Sequence, residues 1–247
     1  MSKNAEEDII SFWTDKKGEM KVLTYNEMIN QPVQVIRKEN NIFIRAKVNF
    51  TGEALGTLIY EESTELYRKR NNNYNKMLFE DLVIKGFEKW TGEYNLESQK
   101  VSVKVLVERT KKNAINIELK KYGDRNGVRY KPLGWSVEYI PTKMVLYAHY
   151  SETLSRDWKQ VMNDAAHEFG HVLGLGDAYG KDDGSFLQTR IIGLILPEYR
   201  DLNRKDAPSE VPENDIMRAQ TTVTDYDINL MWRAWRDNEY QAFPEIS

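Results

Sequence analysis

Two histidines four residues apart, with a glutamate directly after the first, make His167, Glu168 and His171 the residues of this chain best suited to chemistry. On a helix of about 3.6 residues per turn, positions four apart are offset by roughly 40° around the axis and ~6 Å along it, so both imidazoles can face one metal ion. Glu168 then points beside the ion, where it can reach a water bound there without ligating the metal. That is the place of a general base. A catalytic zinc takes three protein ligands and keeps a fourth position open, so a third ligand is required. Gly174, three residues past His171, can adopt the left-handed conformation that ends a helix and turns the chain back. Asp177 then arrives within reach of the same ion.

The neighbours argue that these histidines are not incidental core residues. Trp158, Met162, Ala165, Phe169 and Val172 form one apolar stripe at helical spacing, while His167 and His171 lie on another side. The chain has 3 histidines, and two of them occupy the motif. It has no cysteine, so a zinc site here must be built from imidazole and carboxylate, and no disulfide framework exists.

The run HEFGHVLGLGD over residues 167–177 is similar to the metzincin zinc signature, His-Glu-x-x-His-x-x-Gly-x-x-His/Asp, in its form with Asp as third ligand, as in the snapalysin-like peptidases. Matched residue by residue, the resemblance implies His167, His171 and Asp177 as Zn²⁺ ligands, Glu168 as catalytic general base and Gly174 as the turn glycine. It implies a zinc-dependent metalloendopeptidase that hydrolyses peptide bonds through a zinc-bound water activated by Glu168. Met217, within Asn214-Asp215-Ile216-Met217-Arg218, stands in the interval where metzincins place a tight turn whose Met packs beneath the metal. A thioether there is a soft floor rather than a ligand. Many metzincins carry a Tyr two residues after this Met, and here Ala219 stands there. If a phenol steadies the oxyanion, Tyr179 is nearest in sequence, with Tyr199 and Tyr226 behind it.

Glu198 is a rival third ligand, since another zinc-peptidase class takes a Glu from a downstream helix. The Gly-x-x-Asp that follows His171 makes Asp177 preferable. Asp182, Asp183 and Gly184 could lend oxygens to a structural Ca²⁺, but their spacing does not match an EF-hand loop, and a solvated acidic loop fits better. His149 reads as a strand-end residue near the cleft. A purely structural zinc has no use for a base beside the metal, so Glu168 argues against that reading. The ending VTDYDINLMWRAW also looks like metallopeptidase domains carried on bacterial polymorphic toxins. The alternative function is therefore a metal-containing effector or peptide-binding module with a single protein target or no turnover.

The elements that must position these residues read as an α+β fold. Residues 33–37 and 42–50 alternate as a hairpin around Glu39, Asn40 and Asn41, which Thr51 and Gly52 close. A strong amphipathic helix spans about 74–90, with Gly92 as its cap. Strands follow over 101–107 and 115–119, then a Gly-rich excursion over 122–134, then strands near 135–140 and 144–150. The active-site helix runs from an N-cap at Ser155 to Gly174. In the last helix Thr224 caps, Asp227 completes a capping box, and Val223 with Ile228 forms a hydrophobic staple. Ile228, Met231, Trp232 and Trp235 give that helix its apolar face. The order resembles a metzincin: a mixed twisted sheet with a backing helix and an active-site helix, above a loop-rich lower lobe ending in a C-terminal helix. Such a sheet ends in an edge strand that binds an extended peptide, though which strand that is stays open. Residues 1–31 form a polar lead-in with a short helix around 8–13. Residues 32–247 form one catalytic domain, with an upper lobe to about 176 and a lower lobe beyond.

At 247 residues, 40% hydrophobic and 30% charged, the chain belongs to the globular class and not to disordered or fibrous ones. Its 35 basic and 38 acidic side chains leave a net charge of −3, which suggests neither nucleic acid nor an anionic membrane as partner. The expected partner is a protein or peptide substrate met by a monomer. No stretch reads as a membrane span or signal peptide, the run 191–196 being far too short. Localisation stays open: secreted if a leader has been removed, otherwise cytoplasmic.

Overall fold

The computed structural model describes residues 12–14, 20–22, 32–62, 75–122, 126–132, 139–149, 155–176, 178, 211–212, 214–219 and 221–237. Within the lead-in, β1 (Phe12–Thr14) pairs antiparallel with β2 (Met20–Val22). Residues 12 and 13 are therefore strand rather than the end of a helix, in keeping with the preference of Phe, Trp and Thr for extended backbone.

Alternating apolar residues build a mixed sheet. β3 (Val33–Lys38) and β4 (Asn41–Thr51) form the hairpin that the sequence suggests, in register from Val33 opposite Ala46 to Lys38 opposite Asn41. Glu39 takes a left-handed φ of 53° in the turn between them. After a short 3-10 turn at Gly52–Ala54, β5 (Leu58–Tyr60) pairs antiparallel with β6 (Lys76–Leu78), and α1 (Phe79–Glu88) follows directly. The helix starts later than the sequence pattern suggests because residues 76–78 are drawn out by pairing with β5. Leu78 is extended, and the Phe79 N–H is given to Thr57 O.

β7 (Gly92–Leu96), β8 (Gln99–Arg109), β9 (Ile115–Tyr122), β10 (Gly127–Pro132) and β11 (Tyr139–His149) complete the strands. Gly92 is thus the first residue of a strand and not a helix cap. A side chain there would crowd the Tyr94 ring at 3.1 Å. The Gly-rich excursion contains β10, and β11 is one continuous strand where the sequence suggests two, its residues 135–138 lying outside the described set.

Among the described residues, seven strands make one sheet in the order β10, β11, β9, β4, β8, β7, with β3 alongside the first part of β4. The centre is parallel, β11 to β9, β9 to β4 and β4 to β8, while β10, β7 and β3 are antiparallel additions. Ile42, Ile44, Ala46 and Val48 of β4 are at most 1% exposed and meet Val101, Val103 and Val105 of β8 in the same core. The class is mixed α+β.

α1 packs across α2 (Trp158–Val172) on this sheet. The two helices cross closely at Gly86, where an added Cβ would lie 2.5 Å from Met162 O and 2.7 Å from the Ala165 Cβ. Phe87 stacks on Phe169 with ring centroids 4.1 Å apart, and Trp90 meets Phe169 edge-on. The apolar stripe of the motif helix, Ala165, Phe169 and Val172 above all, is what this interface buries. α3 (Ile216–Ala219) and α4 (Asp225–Asp237) close the described structure. No helix among the described residues is long and apolar enough to cross a membrane.

Candidate metal centre

α2 begins after Asp157, not at Ser155. Asp157 is extended, its carboxylate accepts the Gln160 N–H at 2.8 Å, and Gln160 Oε1 accepts the Asp157 N–H at 2.9 Å, a reciprocal capping box. Ser155 and Arg156 are still paired with the end of β11, through a bridge to His149 and a bond from Arg156 N to Ala148 O. The helix ends in a Schellman motif. Gly174 N donates to His171 O and Leu175 N donates to Gly170 O, with Gly174 at φ +96°.

Between these ends the structure brings His167, Glu168 and His171 together, with candidate ligand atoms all within 4.8 Å of one another. The imidazole centroids are 4.8 Å apart at 85°. His167 and Glu168 are buried, and His171 is half-buried, toward the open side. Each ring is aimed by a main-chain carbonyl. His167 Nδ1 lies 3.0 Å from Ile216 O, and His171 Nδ1 lies 2.8 Å from Leu175 O. A carbonyl can only accept, so both Nδ1 atoms carry the proton and the lone pair sits on Nε2 in each ring. Outer carbonyls that fix the tautomer in this way are the usual support of metal-binding histidines.

The turn at Gly174 therefore does more than end the helix. It places the Leu175 carbonyl on His171, one link beyond what the glycine spacing alone suggests. Met217 is fully buried against α2, and an added Cβ on Gly170 would lie 2.2 Å from its Sδ. The thioether thus fills the space beside the helix at Gly170, and Gly170 is glycine because Met217 is there. Asp177 and Tyr179 lie outside the described residues, as do Asp182, Asp183, Gly184, Glu198 and Tyr199. The chain on either side of Asp177 is tied down, Leu175 O to His171 and Ala178 N to Met217 O at 3.0 Å. His149 is not brought into the His167, Glu168, His171 group; it contacts Tyr122, ring to ring at 5.6 Å. Tyr226 packs half-buried against the core on α4.

Two further groups of buried polar residues support the centre, and of their members the sequence reading picks out Thr224 and Asp227 alone, as a helix cap. Arg156 Nε bonds Asp164 Oδ2 at 2.7 Å, with side chains 1% and 7% exposed, and Arg156 also donates to Tyr147 O. Burial raises the Asp164 carboxyl above its ordinary range in spite of Arg156 beside it. The pair ties β11 to α2 one turn before His167. The second group is Asp215, Thr224 and Asp227, at the foot of α4.

Compared with family models, curated proteins and solved structures, the chain matches none.

Proposed function

We propose that the chain is a zinc-dependent endopeptidase of metzincin-like fold, with His167, His171 and Asp177 holding the metal and Glu168 as the general base. The observation that carries this reading is the paired arrangement of the histidines. Both present Nε2, each through its own Nδ1–H···O=C bond, with a buried carboxylate between them in sequence. Two neutral imidazoles with a carboxylate as third ligand suit Zn²⁺, which takes nitrogen and oxygen donors in tetrahedral sites. When bound, the zinc supplies Lewis acidity toward a water and a scissile carbonyl.

Glu168, following the first histidine, takes the proton from the attacking water and returns it to the leaving amine. Glu168 is only 5% exposed, which keeps bulk water from competing for its carboxylate. Met217 packs against α2 at Gly170, directly before His171. Among the described residues β10 ends the sheet and lies against α2, so it is the edge with which an extended peptide would pair.

The test is cleavage of an unstructured fluorogenic polypeptide by zinc-loaded wild type and by Glu168→Ala, with metal content measured on both. Cleavage by the wild type alone, with zinc in both proteins, is the expected result. If both hold zinc and neither cuts, the endopeptidase reading gives way to an effector with one dedicated protein target.

A further inference from the structure

Asp215 and Asp227 are both 0% exposed, and among the described residues neither has a Lys or Arg ion-pair partner. A buried carboxylate without a counter-charge is costly unless fixed hydrogen bonds replace its water. The bonds that do so trace one path. Asp227 Oδ2 accepts the Thr224 N–H at 2.8 Å, and the Asp227 N–H meets Thr224 Oγ1 at 3.4 Å. The Thr224 hydroxyl donates to Asp215 Oδ2 at 2.7 Å. Asp215 Oδ1 accepts the Met217 N–H at 2.9 Å, and the peptide that carries this N–H is the one whose carbonyl, Ile216 O, meets His167 Nδ1.

One peptide plane is therefore gripped from both ends, its N–H by Asp215 and its C=O by His167. Because a peptide is planar with N–H and C=O opposed, fixing the N–H direction fixes where the carbonyl points. We propose that Asp215 is a positioning residue for the metal centre: anchored by Thr224 and Asp227 at the start of α4, it orients the peptide between Ile216 and Met217 so that Ile216 O aims His167. This rests on the reading of His167 as a metal ligand. Burial and the neighbouring Asp215 charge also hold the Asp227 carboxyl well above its usual range.

His171 supplies an internal control, because its carbonyl partner, Leu175 O, belongs to the Gly174 turn and has no link to Asp215. Asp215→Asn, which weakens the grip on Met217 N–H, lowers zinc affinity by about tenfold or more, the usual scale for losing an outer support. It also shifts the His167 Nδ1–H resonance in histidine-labelled apo protein while that of His171 stays put. Asp227→Asn keeps the shape and an oxygen to accept the Thr224 N–H, and leaves both readouts near wild type. Zinc affinity is read by competition with a chromophoric chelator. Wild-type affinity in Asp215→Asn together with an unmoved His167 resonance overturns the proposal, and so does an equal shift of both histidines. If Asp215→Asn fails to fold, Thr224→Val, which removes the hydroxyl but keeps the shape, carries the same two outcomes. A wild type that binds no zinc defeats the metal reading, while the apo resonances still decide the positioning.

Discussion

Gly86→Ala tests whether the helix that carries the histidines is seated as described. At an open helical position this change stabilises by about 1 kcal/mol, because alanine has the higher helix propensity. Here the new methyl would stand 2.5 Å from Met162 O and 2.7 Å from the Ala165 Cβ, both on rigid parts of α2. Ordinary contact needs about 3.4 Å, so the helices must part by close to 1 Å or tilt. Either movement loosens the Phe87 and Phe169 stack, now at 4.1 Å. Overpacking costs about 1–3 kcal/mol, and a clash with a main-chain oxygen belongs to the upper part of that range, about 2–3 kcal/mol; against a propensity gain of about 1 kcal/mol the net loss is on the order of 1–2 kcal/mol. In a chain of this size that is a fall in melting temperature of roughly 2–8 °C. Urea unfolding followed by far-ultraviolet dichroism reads the change directly, with Gly127→Ala as control, since a Cβ at Gly127 meets nothing within 4 Å. A Gly86→Ala protein as stable as the wild type, or more so, would falsify the close crossing and with it the seat of α2.

Three further outcomes follow from the buried charges and the third ligand. Arg156→Met leaves Asp164 buried without its counter-charge and costs about 3–5 kcal/mol at pH 8, with part of the loss regained at pH 5 as the carboxyl takes a proton; equal urea midpoints for mutant and wild type at pH 8 refute it. Asp227 has a folded pKa raised by burial and by Asp215, so its contribution to stability is complete below the unfolded carboxylate value and is lost as pH rises through the raised one. Asp227→Asn should remove that decline, and a mutant that keeps the wild-type slope contradicts the assignment. On the proposed zinc reading, Asp177→His would replace a charged ligand by a neutral one, strengthen the Lewis acid, and move the acid limb of the rate profile to lower pH; a zinc-retaining mutant with an unmoved profile counts against Asp177 as ligand.

What the sequence makes legible is what depends on near neighbours. The face shared by His167 and His171 follows from a four-residue step, and the turn at Gly174 follows from one glycine with φ +96°. The Thr224 and Asp227 capping box is a three-residue relation, found as the spacing indicates. Strand alternation over Val101, Val103 and Val105 is equally local. Element limits are less legible wherever a distant partner sets them. α1 starts at Phe79 because β5 claims the residues before it, and α2 starts after Asp157 because β11 holds Ser155 and Arg156.

The supports of the histidines are the least legible of all, and the reason is chemical. Ile216 is 49 residues from His167 in sequence, and the atom that matters is a backbone carbonyl, which every residue type offers equally. A chain can therefore name its ligands by side chain and still leave unnamed what aims them. The trace such supports leave is indirect, in residues chosen to let the backbone reach its place. Gly170 sits in the last turn of α2 at a propensity cost of up to about 1 kcal/mol because Met217 occupies the space of its Cβ. Asp215 is buried with no cation beside it among the described residues because a peptide N–H needs holding. A glycine inside an amphipathic helix and an acid beside an Ile-Met pair are weak signals separately. Taken together with His-Glu-x-x-His, they mark where the chain must return beneath its own motif.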